Sequence, residues 1–168
     1  MRILRVGETQ AGRVIAATAL FDRRPTIRAT RAYLSDRRNV MFLAYQGERA
    51  VGFLRGTALN RLDSERPQMF LYEVGVAPRF RRRGIARALI EQLLALCRDQ
   101  GFQEVFVLTS ASNRPAVRLY RKTGARAEGT GGLLFVYDLL AARPAGPVRA
   151  RRRGPRSRKS PALQSARG

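Results

Sequence analysis

The chain has no histidine and a single cysteine, Cys97, in 168 residues. Without histidine, neither a Ser-His-Asp nor a Cys-His nucleophile has its base. With one cysteine as well, a structural zinc site lacks its usual ligands, so no metal is expected. One cysteine also excludes an internal disulfide. No apolar run approaches the ~18 residues that span a bilayer. The N-terminus, MRILRVGETQ, turns polar by Gly7, which leaves no signal-peptide core. These absences point to a cytoplasmic protein with no membrane contact. Acid–base chemistry falls to Glu, Asp, Tyr, Lys or Cys97.

Acidic residues are also scarce, 12 against 33 Lys and Arg, for a net charge of +21. Nine of the 33 basic residues and none of the acids lie in residues 143–168, which leaves 24 against 12 in the rest. The stretch RPAGPVRARRRGPRSRKSPALQSARG holds four prolines and almost no large apolar residue. Such a segment cannot bury enough surface to offset its chain entropy, so 143–168 reads as a disordered tail. It is either a solvated extension or an electrostatic arm making weak contact with nucleic acid.

Residues 1–142 read as one domain without internal repeats. A strand is predicted over 2–6 and a helix over 9–22, where Ala11, Val14, Ile15, Ala19 and Leu20 form an apolar stripe. Thr30 is a candidate cap for a second helix reaching Arg38. VMFLAY and AVGFLRGTAL, joined by QGER, read as a hairpin. Residues 68–77, QMFLYEVGVA, form a third long strand, and a helix runs from about 84 to 100. FQEVFVLT at 102–109 reads as a buried central strand. NRPAVRLYRKTG is a helix with Asn113 as cap, Pro115 in its first turn and Gly124 at its end. GLLFVYDLL closes the domain as a strand. The order β-α-α-β-β-β-α-β-α-β predicts a mixed α/β (α+β) fold with a largely antiparallel sheet flanked by helices.

The stretch FRRRGIARALIEQLL places three arginines and a glycine at the start of a helix. Ile85, Leu89, Ile90, Leu93, Leu96 and Cys97 share one side of that helix; Arg87, Glu91 and Arg98 share the other. A helix N-terminus already carries unpaired N–H groups and the positive end of the dipole. Arginine there does not help the helix, but it suits an anion. Gly84 lets backbone approach a ligand, so the pattern reads as a pyrophosphate cradle following a strand. It is neither a G-x-x-x-x-G-K-[ST] loop nor a G-x-G-x-x-G loop. Gly129, Gly131 and Gly132 precede a strand and read as a turn.

Arg81-Arg82-Arg83-Gly84-Ile85-Ala86 resembles the [QR]-x-x-G-x-[GA] signature of the GNAT acetyltransferases, and it follows a strand ending VGVAP as in that family. Asn113, Ala116, Tyr120 and Gly124 match a second signature, N-x-x-A-x-x-x-Y-x-x-x-G. The resemblance covers residues 1–140. Within the family the chain looks most like the small aminoglycoside 3-N-acetyltransferases, on AYLSDRRNVMFLAYQGERAVGFLRGTAL, LDSERPQMFLYEVGVAPRFRRRGIARALI and PAVRLYRKTGARAE.

The resemblance implies an acetyl-CoA-dependent transfer of an acetyl group directly to a primary amine. N–H groups of Arg82 to Ala86, with Arg81, Arg83, Gly84, Ile85 and Arg87, would hold the coenzyme A phosphates. Backbone of Val74, Gly75 and Val76 would pair with the pantetheine arm, with Gly75 as a bulge that frees an N–H for the oxyanion, or merely as a packing gap. Tyr120 would be the acid for the leaving thiolate, or else a core tyrosine. Asn113 would bond the pantetheine, cap the helix, or do both. Glu73, a charge in mid-strand, would take the amine proton and attract the substrate, or else pair with an arginine. Asp138 would help bind the substrate; Asp63, Glu65 and Glu128 are further rim carboxylates or plain surface groups. Cys97 reads as a core residue.

The expected acceptor is a small-molecule amine, an aminoglycoside at its 3-N position first. A protein amine or small metabolite is the alternative. So is a nucleic-acid or ribosome-associated binding protein with an inert domain of this fold. Small domains of this family pair through edge strands, which by analogy implies a homodimer.

Overall fold

A computed structural model describes residues 1–127 of the chain. The expected strand at GLLFVYDLL, the carboxylates Glu128 and Asp138, the glycine turn and the 143–168 tail lie outside the described residues. Five strands form one sheet in the order β1-β2-β3-β4-β5: β1 Arg2–Arg5, β2 Asn39–Gln46, β3 Arg49–Leu59, β4 Gln68–Val76 and β5 Glu104–Phe106. The first four are mutually antiparallel and β5 runs parallel to β4. Helices α1 Ala11–Ala16, α2 Ile27–Ser35, α3 Ile85–Asp99 and α4 Arg114–Lys122 complete the unit. The mixed, mostly antiparallel sheet with flanking helices is the expected architecture.

The apolar run of β2 explains the layering. Val40, Phe42 and Ala44 enter a core with Leu54, Met69, Leu71, Ile85, Leu89, Leu93 and Cys97. Met41, Leu43 and Tyr45 alternate into a second core with Val14, Ala17 and Phe53. A strand buried on both faces has no polar position to spare, hence the unbroken VMFLAY. Leu43, Leu54, Leu89 and Leu93 are fully buried, each stabilising the fold by about 1.5–3 kcal/mol. The face of α3 is as the spacing predicts, with Ile85, Leu89, Ile90, Leu93 and Cys97 inward.

Three local expectations fail. The 9–22 helix is broken: only Ala11–Ala16 is α-helical, flanked by 3-10 turns at Glu8–Gln10 and Thr18–Leu20. The Ala17 N–H is shared by the carbonyls of Arg13 and Val14, both at 3.1 Å, the three-centre bond of a terminating helix. Thr30 is not a cap. It is buried in the interior of α2, and Thr26 is the cap, accepting from the Ala29 N–H at 3.3 Å. Pro25 before it disfavours helical backbone at Arg24 and helps set that boundary. The 102–109 strand shrinks to Glu104–Phe106, exposed or half-buried, because its pairing with β4 ends at Phe70–Phe106.

Tyr33 ties α2 to the sheet. Its hydroxyl lies 3.0 Å from the Gly56 carbonyl and 3.3 Å from that of Val40. Burial pushes its pKa up to about 12, against a smaller lowering by Arg55. Its proton is therefore held more tightly in the folded than in the unfolded chain, and the associated stability, complete below about pH 10, is lost as pH rises toward 12. Tyr33→Phe is expected to lower stability at neutral pH by about 1 kcal/mol. It should also flatten the fall in melting temperature between pH 10 and 12, read by thermal denaturation followed by circular dichroism.

Candidate functional site

The register of β3 against β4 sets the directions at the site. The Ala77 N–H donates to the Val51 carbonyl at 2.9 Å. Leu54 faces Val74 and Phe53 faces Gly75 in regular register. The alternation of an antiparallel pair then turns the amides of Gly75 and Glu73 toward β3, and those of Val74 and Val76 outward. Beyond Phe70 that outer edge has no strand partner among the described residues, since β5 stops pairing there. An extended ligand therefore meets the outward N–H groups of Val74 and Val76.

Gly75 is not a bulge. The register shift lies upstream, between Arg55 and Gly56 of β3, which face Glu73 and Leu71 and leave Tyr72 as the extra residue. Gly75 instead makes room for Phe53, since a Cβ there would sit 2.4 Å from Phe53 Cε1. The packing reading of Gly75 is the one observed.

The chain then enters the arginine segment. A 3-10 turn spans Pro78–Phe80. Arg82 has φ 61°, among described residues the one non-glycine in that region, and Gly84 has φ 79°. A left-handed arginine costs about 1–2 kcal/mol, and such residues concentrate where a ligand is held. Thr26 caps α2 and Asn113 caps α4, whereas α3 has no side-chain cap and no acid in its first turn. Its leading N–H groups stay open to an anion.

The arginines divide in role. Arg81 Nε donates to the Val76 carbonyl at 3.2 Å, tying the loop to the edge of β4. Arg83 and Arg49, the latter from the β2–β3 hairpin, lie 5.5 and 5.6 Å from the Phe80 ring centre. Arg87 is paired with Glu91 at 2.7 Å one turn on, along the exposed face of α3.

On the opposite face of the sheet lies a cleft of about 570 Å³ between β3, β4, α2 and the segment before α2. Glu73 and Arg55 share its lining with Tyr33, Asp22, Arg23 and Arg24. Arg55 donates from Nε at 2.9 Å and from Nη2 at 2.8 Å, both to Glu73 Oε2. Among the described residues Glu73 Oε1 makes no such contact. The Arg55 guanidinium also sits 4.3 Å from the Tyr72 ring centre. So Glu73 is the arginine-paired strand glutamate, and it stands in the cleft beside Val74.

Tyr120, on α4, packs partly buried against the core that contains Leu54 and Leu89. Burial raises its pKa, which keeps its hydroxyl protonated across the neutral range. The Asn113 side chain accepts from the Ala116 N–H at 3.3 Å, the capping role. Cys97 is buried and its thiol is pushed up to about 11 by burial, so no thiolate is available to it at neutral pH. Asp63 is exposed and bound to Arg61 at 2.6 Å. Glu65 is exposed. Arg55, Tyr33, Arg23 and Arg24 were not anticipated. Arg55 had a usable signal, a lone charge inside AVGFLRGTAL, the same signal that singles out Glu73.

An open strand edge running into an uncapped, arginine-flanked helix start suits an extended ligand that ends in an anion. The profile of the acetyltransferase (GNAT) family matches residues 12–125, and the chain belongs to that family. N-acetyltransferase 8B of Rattus norvegicus is 36% identical over 100 residues, covering 60% of this chain and 45% of that protein. The chain thus spans less than half the length of the curated relatives it matches first. Among solved structures, an aminoglycoside acetyltransferase, meta-AAC0020, from an uncultured soil metagenomic sample, in complex with trehalose, superposes with a TM-score of 0.76 at 27% identity, covering 82% of this chain and 95% of that one. The same enzyme in complex with sisomicin matches at 0.76 and 26%, with the same coverage. No helix among the described residues is long and apolar enough to cross a membrane.

A Cβ on Gly84 would meet nothing within 4 Å, so substitution there tests conformation rather than space. Gly84→Ala is expected to destabilise the fold by about 1 kcal/mol and to weaken acetyl-CoA binding about tenfold, measured by thermal denaturation and by titration calorimetry.

Proposed function

We propose that the chain transfers an acetyl group from acetyl-CoA to the primary amine of a small molecule held in the cleft beside Glu73. The observation that carries this is the meeting of three features along one line: the outward amides of Val74 and Val76, the left-handed turn at Arg82 and Gly84, and the uncapped start of α3. The N–H groups of Arg82 to Ala86 would receive the pyrophosphate, with Arg81, Arg83 and Arg87 around it. Val74 and Val76 would pair with the pantetheine arm. Acetyl-CoA itself supplies the activated acyl group.

In the transfer, the amine lone pair attacks the thioester carbonyl carbon. A C–N bond forms and the C–S bond breaks. The outward N–H of Val74 would steady the oxyanion. The sulfur leaves with the electron pair of the C–S bond and takes a proton from Tyr120. The acceptor ammonium gives one proton to Glu73 Oε1, directly or through water, which frees that lone pair; the second leaves the nitrogen after attack and restores the Tyr120 hydroxyl. An ammonium acceptor and acetyl-CoA thus yield an amide, the free thiol and one proton. Asn113 serves α4 as its cap and presents its amide nitrogen to the pantetheine.

An aminoglycoside is the acceptor that the metagenomic aminoglycoside acetyltransferase supports, and the 3-N position is what the resemblance in sequence implies. A small metabolite amine is a second reading, favoured by the charge of the cleft, where Arg23, Arg24 and Arg55 stand against Asp22 and Glu73.

Thiol release from acetyl-CoA, followed with a chromogenic disulfide across aminoglycosides, polyamines and amino acids, tests the proposal; no release with any amine would overturn it. Tyr120→Phe is expected to lower kcat by about 10²-fold with little change in KM for acetyl-CoA. An unchanged kcat would remove Tyr120 from the reaction. Glu73→Gln is expected to lower kcat/KM for the amine, with acetyl-CoA binding unaltered by calorimetry.

A further inference from the structure

The cleft beside Glu73 has a lopsided charge. Arg55 and Glu73 neutralise each other through their 2.8 and 2.9 Å contacts. Arg23 and Arg24 sit in the segment between the Thr18–Leu20 turn and α2, and they line the same cleft. Neither has an ion-pair partner among the described residues. Two guanidinium groups therefore remain against the single carboxylate of Asp22.

Given an amine docked beside Glu73, the reading on which this inference rests, we propose that Arg23 and Arg24 form an anion subsite of the acceptor cleft, and that the acceptor is an amine carrying a carboxylate on the same small molecule. A guanidinium fork matches a carboxylate in two parallel hydrogen bonds. A polycation would set its own ammonium groups against the two arginines. Cationic surroundings also favour the neutral form of the docked amine, the form with a free lone pair. Phe21, Leu34 and Met41 give the cleft an apolar wall, beside the polar side chains of Thr26, Thr30 and Tyr33. The cleft thus offers one pole for the amine at Glu73 Oε1, one for the carboxylate at Arg23 and Arg24, and an apolar wall for the substituent between them.

A matched pair of ligands tests this, L-phenylalanine and L-phenylalaninamide, which differ in the carboxylate. Binding of each is measured by calorimetry to the wild-type chain saturated with coenzyme A. The acid is expected to bind at least tenfold more tightly than the amide. The doubly substituted chain, Arg23→Gln with Arg24→Gln, is expected to bring the two within twofold; both positions are exposed, so folding is checked by its melting curve. Equal or tighter binding of the amide, tighter binding of sisomicin, survival of the preference in the double variant, or no binding of either ligand at millimolar concentration would each overturn the proposal. Thiol release is followed in the same samples. A tenfold binding preference without any acetyl transfer would sink the transferase reading and leave the subsite standing.

Discussion

The pairing of β3 with β4 is the constraint on which the site depends. Because side chains alternate, one register puts Leu54 and Val74 into the α3 core and Arg55 and Glu73 into the opposite cleft. The same register turns the Val74 and Val76 amides off the sheet edge. A slip of one residue would exchange the two faces and bury the Arg55–Glu73 pair under α3. The fit between Gly75 and the Phe53 ring holds that register, since any side chain on Gly75 would collide with the ring. The open edge and the cleft are thus two readouts of one strand pair.

The ion pair across that register has a second effect. Arg55 spends two donors on one Glu73 oxygen and leaves the other oxygen unengaged. A carboxylate held this way has a fixed orientation in a half-exposed cleft, where a lone glutamate would sample several rotamers. The Arg55–Tyr72 contact fixes the guanidinium from its other side, at the residue that the register shift inserts. The irregularity in β4 is therefore part of how the cleft floor is built.

Much of this was legible in the residues alone. The α3 face, the hairpin, the capped α4 and the arginine loop arise from periodicity and turn chemistry that act within a dozen residues. Glu73 was legible because charge in an apolar strand demands a reason. What escaped depends on tertiary context. The 9–22 stripe suits a helix, yet the packed segment terminates it at Ala16. Thr26 and Thr30 both qualify as caps by composition, and the turn after Pro25 decides between them. Glycine favours bulges and close packing alike, so Gly75 alone leaves both readings open, whereas the register places the extra residue at Tyr72. Arg23 and Arg24 looked like ordinary loop charges until the fold set them beside Glu73.

Of the three helices described with eight or more residues, α3 alone begins without a side chain to close its first turn. An open turn of this kind forgoes roughly 1 kcal/mol that a serine or aspartate would contribute. If the coenzyme phosphates occupy it, the donor completes the helix from outside, and folding and donor supply become one coupled equilibrium. The fraction of chains folded then tracks the level of the coenzyme, acetylated or not. A chain of modest intrinsic stability would then persist when the coenzyme is abundant and become vulnerable to proteolysis when it is scarce.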